Sequence, residues 1–148
     1  MAEWYRKNYK DLTVDELYDL LRLRSEIFVV EQDCVYQDLD LKDKKSILLF
    51  AVEDGQTVAT LRVIPAGISY DVPSIGRLVV KEAYRHNGYA RKMMLDAIAI
   101  IRDEFKADKI RISGQAYLKE FYQSLGFEIV TNVYLEDGID HYGFELTL

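Results

Sequence analysis

The stretch that most constrains this chain runs from Ser74 to Met94 and reads as strand, tight turn and helix. Ile75 to Val80 is short, apolar and partly β-branched, the pattern of a buried strand. Beyond it Ala90, Met93, Met94, Ala97, Ile98, Ile101 and Phe105 recur at the spacing of one helix face. Between the two lies Arg85-His86-Asn87-Gly88-Tyr89-Ala90. Gly88 has no Cβ, so the chain can turn sharply there and a ligand can approach the backbone. The first N–H groups of the helix have no intrahelical partners and face the turn at the positive end of the helix dipole. That arrangement suits a phosphate group.

Charge is unevenly spread. Arg77, Lys81, Arg85, Arg91 and Lys92 stand against Glu82 alone, a local net of +4 in a chain whose net charge is −6. A basic patch on an acidic protein implies a particular anionic ligand rather than nucleic acid. Conversely, Glu31, Asp33, Asp38, Asp40 and Asp43 against Lys42 give a local net of −4. Each carboxylate taken singly reads as solvated; together they are expected to attract a cation. The spacing is no calcium loop, because the required glycine and closing glutamate are missing.

The flanking elements give an α/β pattern. Trp4 to Tyr9 alternates as a first strand. Thr13 and Glu16 form a capping box for a helix that ends near Val30 and turns Leu17, Leu20, Leu21, the Arg24 stem and Phe28 inward. Ser46 to Glu53 and Thr57 to Ile64 are strands joined at Asp54-Gly55, and Asp71-Val72-Pro73 turns the chain into the central strand. Lys109 to Gly114 is a strand. A helix follows from about Tyr117 to Leu125, with Leu118, Phe121 and Leu125 on its buried face and Gly126 as terminator. Glu128 to Leu135 and His141 to Thr147 are the last strands, joined across Glu136-Asp137-Gly138. The expected architecture is a mixed, mostly antiparallel sheet flanked by about four helices.

A length of 148 residues without repeat or linker predicts a single domain, 1–148. No secretory leader or bilayer-length apolar run is visible, so neither membrane nor export is expected and a cytoplasmic location fits. One cysteine, Cys34, excludes an intrachain disulfide, and two histidines are too few for a convincing zinc site, so no metal is assigned.

Arg85-x-x-Gly88-x-Ala90, preceded by Arg77-Leu78-Val79-Val80, resembles the acetyl-CoA motif of the GCN5-related N-acetyltransferases. Ala116-Tyr117-Leu118-Lys119-Glu120-Phe121-Tyr122-Gln123-Ser124-Leu125-Gly126-Phe127 resembles the next motif of that superfamily, in the right order and at the usual separation. Phe28-Val29-Val30-Glu31-Gln32 and Val133-Tyr134-Leu135-Glu136-Asp137-Gly138-Ile139 are similar to its ElaA-type branch, so the likeness covers nearly the whole chain.

The resemblance implies a central sheet splayed at the site of acetyl-CoA, the acyl donor. It places Leu78, Val79 and Val80 along the pantetheine, and Arg85, His86, Asn87, Gly88, Tyr89 and Ala90 around the pyrophosphate. Tyr122 takes the position of the acid that protonates the leaving thiolate. Glu31, Asp38 and His141 are candidates for the base, His141 because histidine changes charge near neutral pH. Gln115 stands near the position where the family often has an asparagine. The activity implied is direct acetyl transfer to a primary amine, small or peptidic, in a ternary complex; the charge layout adds that this amine is cationic. A monomer or homodimer without nucleic acid is expected. A CoA-binding module without turnover is the competing reading, and a Rossmann domain is disfavoured because the first glycine of its fingerprint is missing.

Overall fold

Two tight hairpins anchor the sheet. Asp54 and Gly55 have φ of 54° and 74°, and Asp137 and Gly138 have φ of 53° and 77°. Both pairs form two-residue turns whose left-handed backbone matches the twist of the flanking strands. The computed structural model describes all 148 residues. In chain order the elements are β1 (Glu3–Asn8), α1 (Val14–Arg24), β2 (Ile47–Glu53), β3 (Gln56–Ile64), β4 (Ser74–Val80) and α2 (Tyr89–Ala99). They continue with β5 (Lys109–Gln115), α3 (Lys119–Ser124), β6 (Glu128–Ile129), β7 (Tyr134–Glu136) and β8 (Ile139–Thr147).

Strands β1-β2-β3-β4 form one antiparallel array, and β5-β8-β6 forms a second, with β7 also paired to β8. Between the arrays β4 and β5 run side by side. Arg111 N–H donates to Pro73 C=O at 3.1 Å near the start of both strands, and no ladder continues beyond that bond. The two strands therefore part toward Val80 and Gln115. This is the expected mixed, mostly antiparallel sheet with a splay.

Alternation along the strands sorts the sheet into two faces. Leu48 and Phe50 pack with Leu20, and Val79 packs with Leu23 and Ile27, so α1 and its continuation cover one face. Leu49, Ala51, Leu61 and Val63 pack with Met93, Met94, Ala97, Tyr122 and Phe127, so α2 and α3 cover the other.

Thr13 caps α1 as expected: its Oγ1 accepts from Glu16 N–H at 3.0 Å, and Glu16 accepts from Thr13 N–H at 2.9 Å. Three α-helices stand where about four are expected. Two of them run on in wider π turns, α1 through Ser25–Glu31 and α2 through Ile100–Glu104. The inward stripe is also rotated: Leu20, Leu23, Arg24 and Ile27 are buried, while Leu17, Leu21 and Phe28 are half-buried. In α3, Tyr122 takes the deepest place, and Leu118, Phe121 and Leu125 pack around the rim of the core. The expected strand from Glu128 to Leu135 is broken. Val130 N–H donates to Gly143 C=O at 2.9 Å, but Gly143 N–H returns to the Thr131 hydroxyl at 2.8 Å. That side-chain acceptor replaces the ladder and lets the chain leave the sheet before β7.

Candidate active site

A cavity of about 640 Å³ occupies the splay between β4 and β5. The ends of both strands line it, from Ile75 to Val80 and from Ile112 to Gln115. It also takes residues from both covering layers, so it runs through the sheet. Gly88, Tyr89, Ala90, Phe121 and Tyr122 face it from the α2–α3 side; Glu31, Gln32, Cys34, Tyr36, Glu136 and His141 face it from the other.

On the α2–α3 side, Gly88 has φ of 79° and stands just ahead of α2. No side chain caps the helix, so its leading N–H groups are free for a ligand. A Cβ built on Gly88 would meet no protein atom within 4 Å, so this cradle opens toward the cavity and fits a phosphate approaching the backbone. Leu78, Val79, Val80, Arg85, His86, Gly88, Tyr89 and Ala90 all line the cavity. Asn87 does not line it; its amide donates to the carbonyls of Tyr84 and Arg85 and shapes the turn.

Tyr122 is 7% exposed and lies between Phe121, Phe127 and Phe144. Burial drives its pKa well above the ordinary phenol value, with Tyr117 adding to the effect. No hydrogen bond contributes to that shift, and the hydroxyl stays neutral, able to donate its proton. Its seat depends on Gly114: a Cβ there would stand 2.6 Å from Tyr122 Cε2 and 2.9 Å from Phe144 Cε2. Sequence reasoning missed Gly114, although a lone glycine inside a strand signals a close approach.

The charge layout expected from the sequence is corrected by the ion pairs. Arg24, only 1% exposed, donates to Asp38 at 3.0 Å and to Asp43 at 2.6 Å. Arg62 makes a bidentate pair with Asp40, both bonds 2.7 Å, and Arg77 donates to Asp38 at 2.8 Å. Three guanidinium groups thus balance three carboxylates inside the fold, and Asp38 is no free base. Burial pushes the Asp40 carboxyl upward, but the Arg62 bonds and charge outweigh this and hold it well below the usual range. Desolvation pushes the neighbouring Tyr36 hydroxyl up to about 12.

This cluster also fixes β4. Opposite Leu61 of β3, β4 has two residues, Arg77 and Leu78, a bulge in which Arg77 takes φ of 51°. The bonds from Arg77 to Asp38 and Asp40 hold that left-handed backbone. The expectation that the basic stretch faces phosphates fails for most of its cations. Arg77 is used by the cluster, Lys81 pairs with Glu26 at 2.9 Å, Arg85 with Glu31 at 2.8 Å and Lys92 with Asp96 at 2.7 Å. Arg91 alone has no carboxylate partner and donates to the Ser124 hydroxyl at 3.0 Å.

On the α1 side, the pleat puts Ser113, Gln115 and His141 on one face, because Gln115 pairs with His141 and Ser113 with Gly143 in the β5–β8 ladder. That face is opposite to Gly114 and Tyr122. His141 is 7% exposed. Its Nδ1 lies 2.7 Å from Ile139 C=O, so Nδ1 carries a proton, and in the neutral ring Nε2 is the acceptor. Nε2 lies 3.5 Å from Glu136. Glu31 is held by Arg85, so acting as base would break that ion pair. Gln115 and Gln32 exchange amide hydrogen bonds of 3.1 and 3.2 Å, and Cys34 Sγ donates to Asp137 C=O at 3.2 Å. The first two bonds tie the loop after α1 to β5 and the third ties it to the β7–β8 hairpin; no sequence pattern disclosed them.

A family model described as an acetyltransferase (GNAT) domain matches residues 10–148. Protein ElaA of Escherichia coli is 37% identical over 97% of this chain and 95% of its own length. The crystal structure of E. coli ElaA superposes with a TM-score of 0.91 at 34% identity, covering 99% of each chain. An acyl-CoA N-acyltransferase from Pseudomonas aeruginosa gives a TM-score of 0.91 at 39% identity, over 99% of this chain and 100% of that one. No helix is long and apolar enough to cross a membrane. The chain belongs to the GCN5-related N-acetyltransferase superfamily, in its ElaA-type branch, and is an N-acetyltransferase.

Proposed function

We propose that the protein transfers an acetyl group from acetyl-CoA directly to a primary amine in a ternary complex. The observation that carries this reading is the placement of Tyr122 and His141 on opposite faces of the split sheet, both lining one cavity. Direct transfer needs donor and acceptor to meet from opposite sides. The backbone from Arg85 to Ala90 holds the pyrophosphate, Gly88 allowing its approach, and Leu78, Val79 and Val80 lie along the pantetheine arm.

The amine gives its proton to His141 Nε2, Glu31 being committed to Arg85. The nitrogen lone pair attacks the thioester carbonyl carbon; the C–N bond forms, the C–S bond breaks, and the nitrogen, now positively charged, sheds its second proton to solvent. The departing sulfur takes the proton of the Tyr122 hydroxyl, and the phenolate recovers one from solvent. For an alkylammonium acceptor the products are the amide, the free thiol and one released proton.

The test is thiol release from acetyl-CoA across a panel of amines. Tyr122→Phe keeps the ring and its packing, so unfolding should hardly change while kcat falls about a hundredfold. Unchanged kcat, with chemistry shown to limit the rate, returns Tyr122 to a packing role. No thiol release with any amine leaves the alternative, a CoA-binding module without turnover.

A further inference from the structure

Resting on that reading, we infer that Glu136 selects the acceptor: with His141 it forms a two-point seat for a protonated primary amine. Glu136 closes β7 and His141 lies near the start of β8, so the two-residue turn at Asp137-Gly138 brings them together. Their Cα partners are offset across the hairpin, Glu136 with Ile139 and Tyr134 with His141. Both side chains line the cavity on the face away from Tyr122.

The chemistry of the pair is unusual. The bond to Ile139 C=O places the imidazole proton on Nδ1. In the neutral ring Nε2 then presents a lone pair beside the Glu136 carboxylate 3.5 Å away. In the neutral ring two acceptors face each other, and an ammonium group, with three N–H bonds to share, can join them. No lysine or arginine fills that role: the one basic side chain beside Glu136 is the His141 imidazole. Its other oxygen accepts from the Ser113 hydroxyl at 3.4 Å, and Ser113 is itself bonded to the Tyr134 hydroxyl at 2.5 Å. Tyr134 stacks on the imidazole with centroids 6.1 Å apart, which fixes the ring plane. Gln115 opposes His141 across the ladder but spends its amide on Gln32.

The carboxylate thus attracts the amine in its abundant charged form, and Nε2 stands beside it to remove the proton. Asp137 adds a second carboxylate to the same rim of the cavity. An acceptor whose amine is flanked by its own carboxylate is disfavoured by like charge.

Glu136→Gln tests the seat, because the amide keeps the shape and can donate to Nε2. Thiol release is followed with primary amines, each paired with its O-alkylhydroxylamine isostere, such as n-butylamine with O-propylhydroxylamine. Alkylamines are protonated near neutral pH, with pKa values of about 10.4 for lysine-like groups; the hydroxylamine ethers are neutral. Loss of a charged hydrogen bond should raise KM for the alkylamines about 10- to 100-fold, with kcat changed far less. KM for the isosteres should stay within about twofold. Equal changes for both members of a pair, or none, overturn the seat and leave the transferase reading standing. Wild-type protein that releases thiol with no amine overturns both.

Discussion

Two acidic segments do opposite work: the β7–β8 hairpin lines the cavity, while the aspartates between 38 and 43 stand behind Arg77, outside its lining. Between residues 38 and 43, Asp38, Asp40 and Asp43 are bound by Arg24, Arg62 and Arg77. On the β7–β8 hairpin, Glu136 meets only a histidine. In the first segment each charge is cancelled within the fold, so little field reaches a ligand; in the second it is uncancelled and open to the cavity. Local net charge, a sum along the chain, cannot distinguish these cases, because the balancing cations come from α1, β3 and β4. The difference separates carboxylates that shape the protein from one suited to hold a substrate.

Replacing one carboxylate in each segment breaks the comparison most sharply. Asp43→Asn leaves the Arg24 guanidinium, sealed from solvent, short of its 2.6 Å partner. Removing one partner of a buried pair typically costs about 3–5 kcal/mol. Glu136→Gln, at a side chain 49% exposed, should stay within about 0.5 kcal/mol. Urea unfolding of both variants measures this directly. Equal losses would mean that the two segments are alike and that the hairpin carboxylate is also structural.

The bonds that hold the loop after α1 beside the hairpin strand's neighbour, β5, give a smaller effect. Gln32 and Gln115 exchange two amide bonds between the loop after α1 and β5. Gln115→Ala removes both and should cost about 1–2 kcal/mol, since neutral hydrogen bonds contribute about 0.5–1.5 kcal/mol each. KM for the amine should rise a few-fold as the loop loosens beside the hairpin, while kcat stays near the wild-type value. A fall in kcat with KM constant would place Gln115 in the chemical step.

Much of the architecture was readable because it follows local rules. Asp54-Gly55 announced its hairpin, Thr13 and Glu16 their capping box, and Gly88 its left-handed turn before α2. The order of motifs identified the family and pointed to Gly88 and Tyr122, and histidine's charge change near neutral pH made His141 a candidate; all three line one cavity. What sequence did not disclose depends on neighbours distant along the chain. Gly114 makes room for a ring eight positions later; the Asp38–Arg77 bond holds a bulge across 39 residues. The broken strand before β7 depends on a single threonine hydroxyl taking the Gly143 N–H. The steering role expected of the acidic stretch failed for the same reason: its partners were unseen, and the free carboxylate lay in a hairpin whose turn was legible but whose orientation was not.

The smallest effect emerges under acid. Asp40 has its carboxyl held below the ordinary value by Arg62, despite the opposing cost of burial. A carboxyl depressed on folding adds stability that is fully present above its unfolded value of about 3.9 and lost as pH falls toward the folded value. At pH 7 Asp40→Asn should cost about 1 kcal/mol, reduced by the partial exposure of the pair. Below about pH 4 the wild-type carboxyl must bind a proton on unfolding, and the variant has no such group. The gap between wild type and variant should therefore narrow as pH falls from about 5 toward 3. Glu136→Gln should not reproduce this narrowing, since its carboxylate has no guanidinium to lose. Urea midpoints at several pH values measure both curves. A gap that stays constant would mean that Asp40 acts through its shape and its bond to Lys42 N–H at 3.1 Å rather than through charge. A narrowing gap assigns the acid sensitivity of this face to the arginine–aspartate cluster and leaves the hairpin carboxylate to the acceptor.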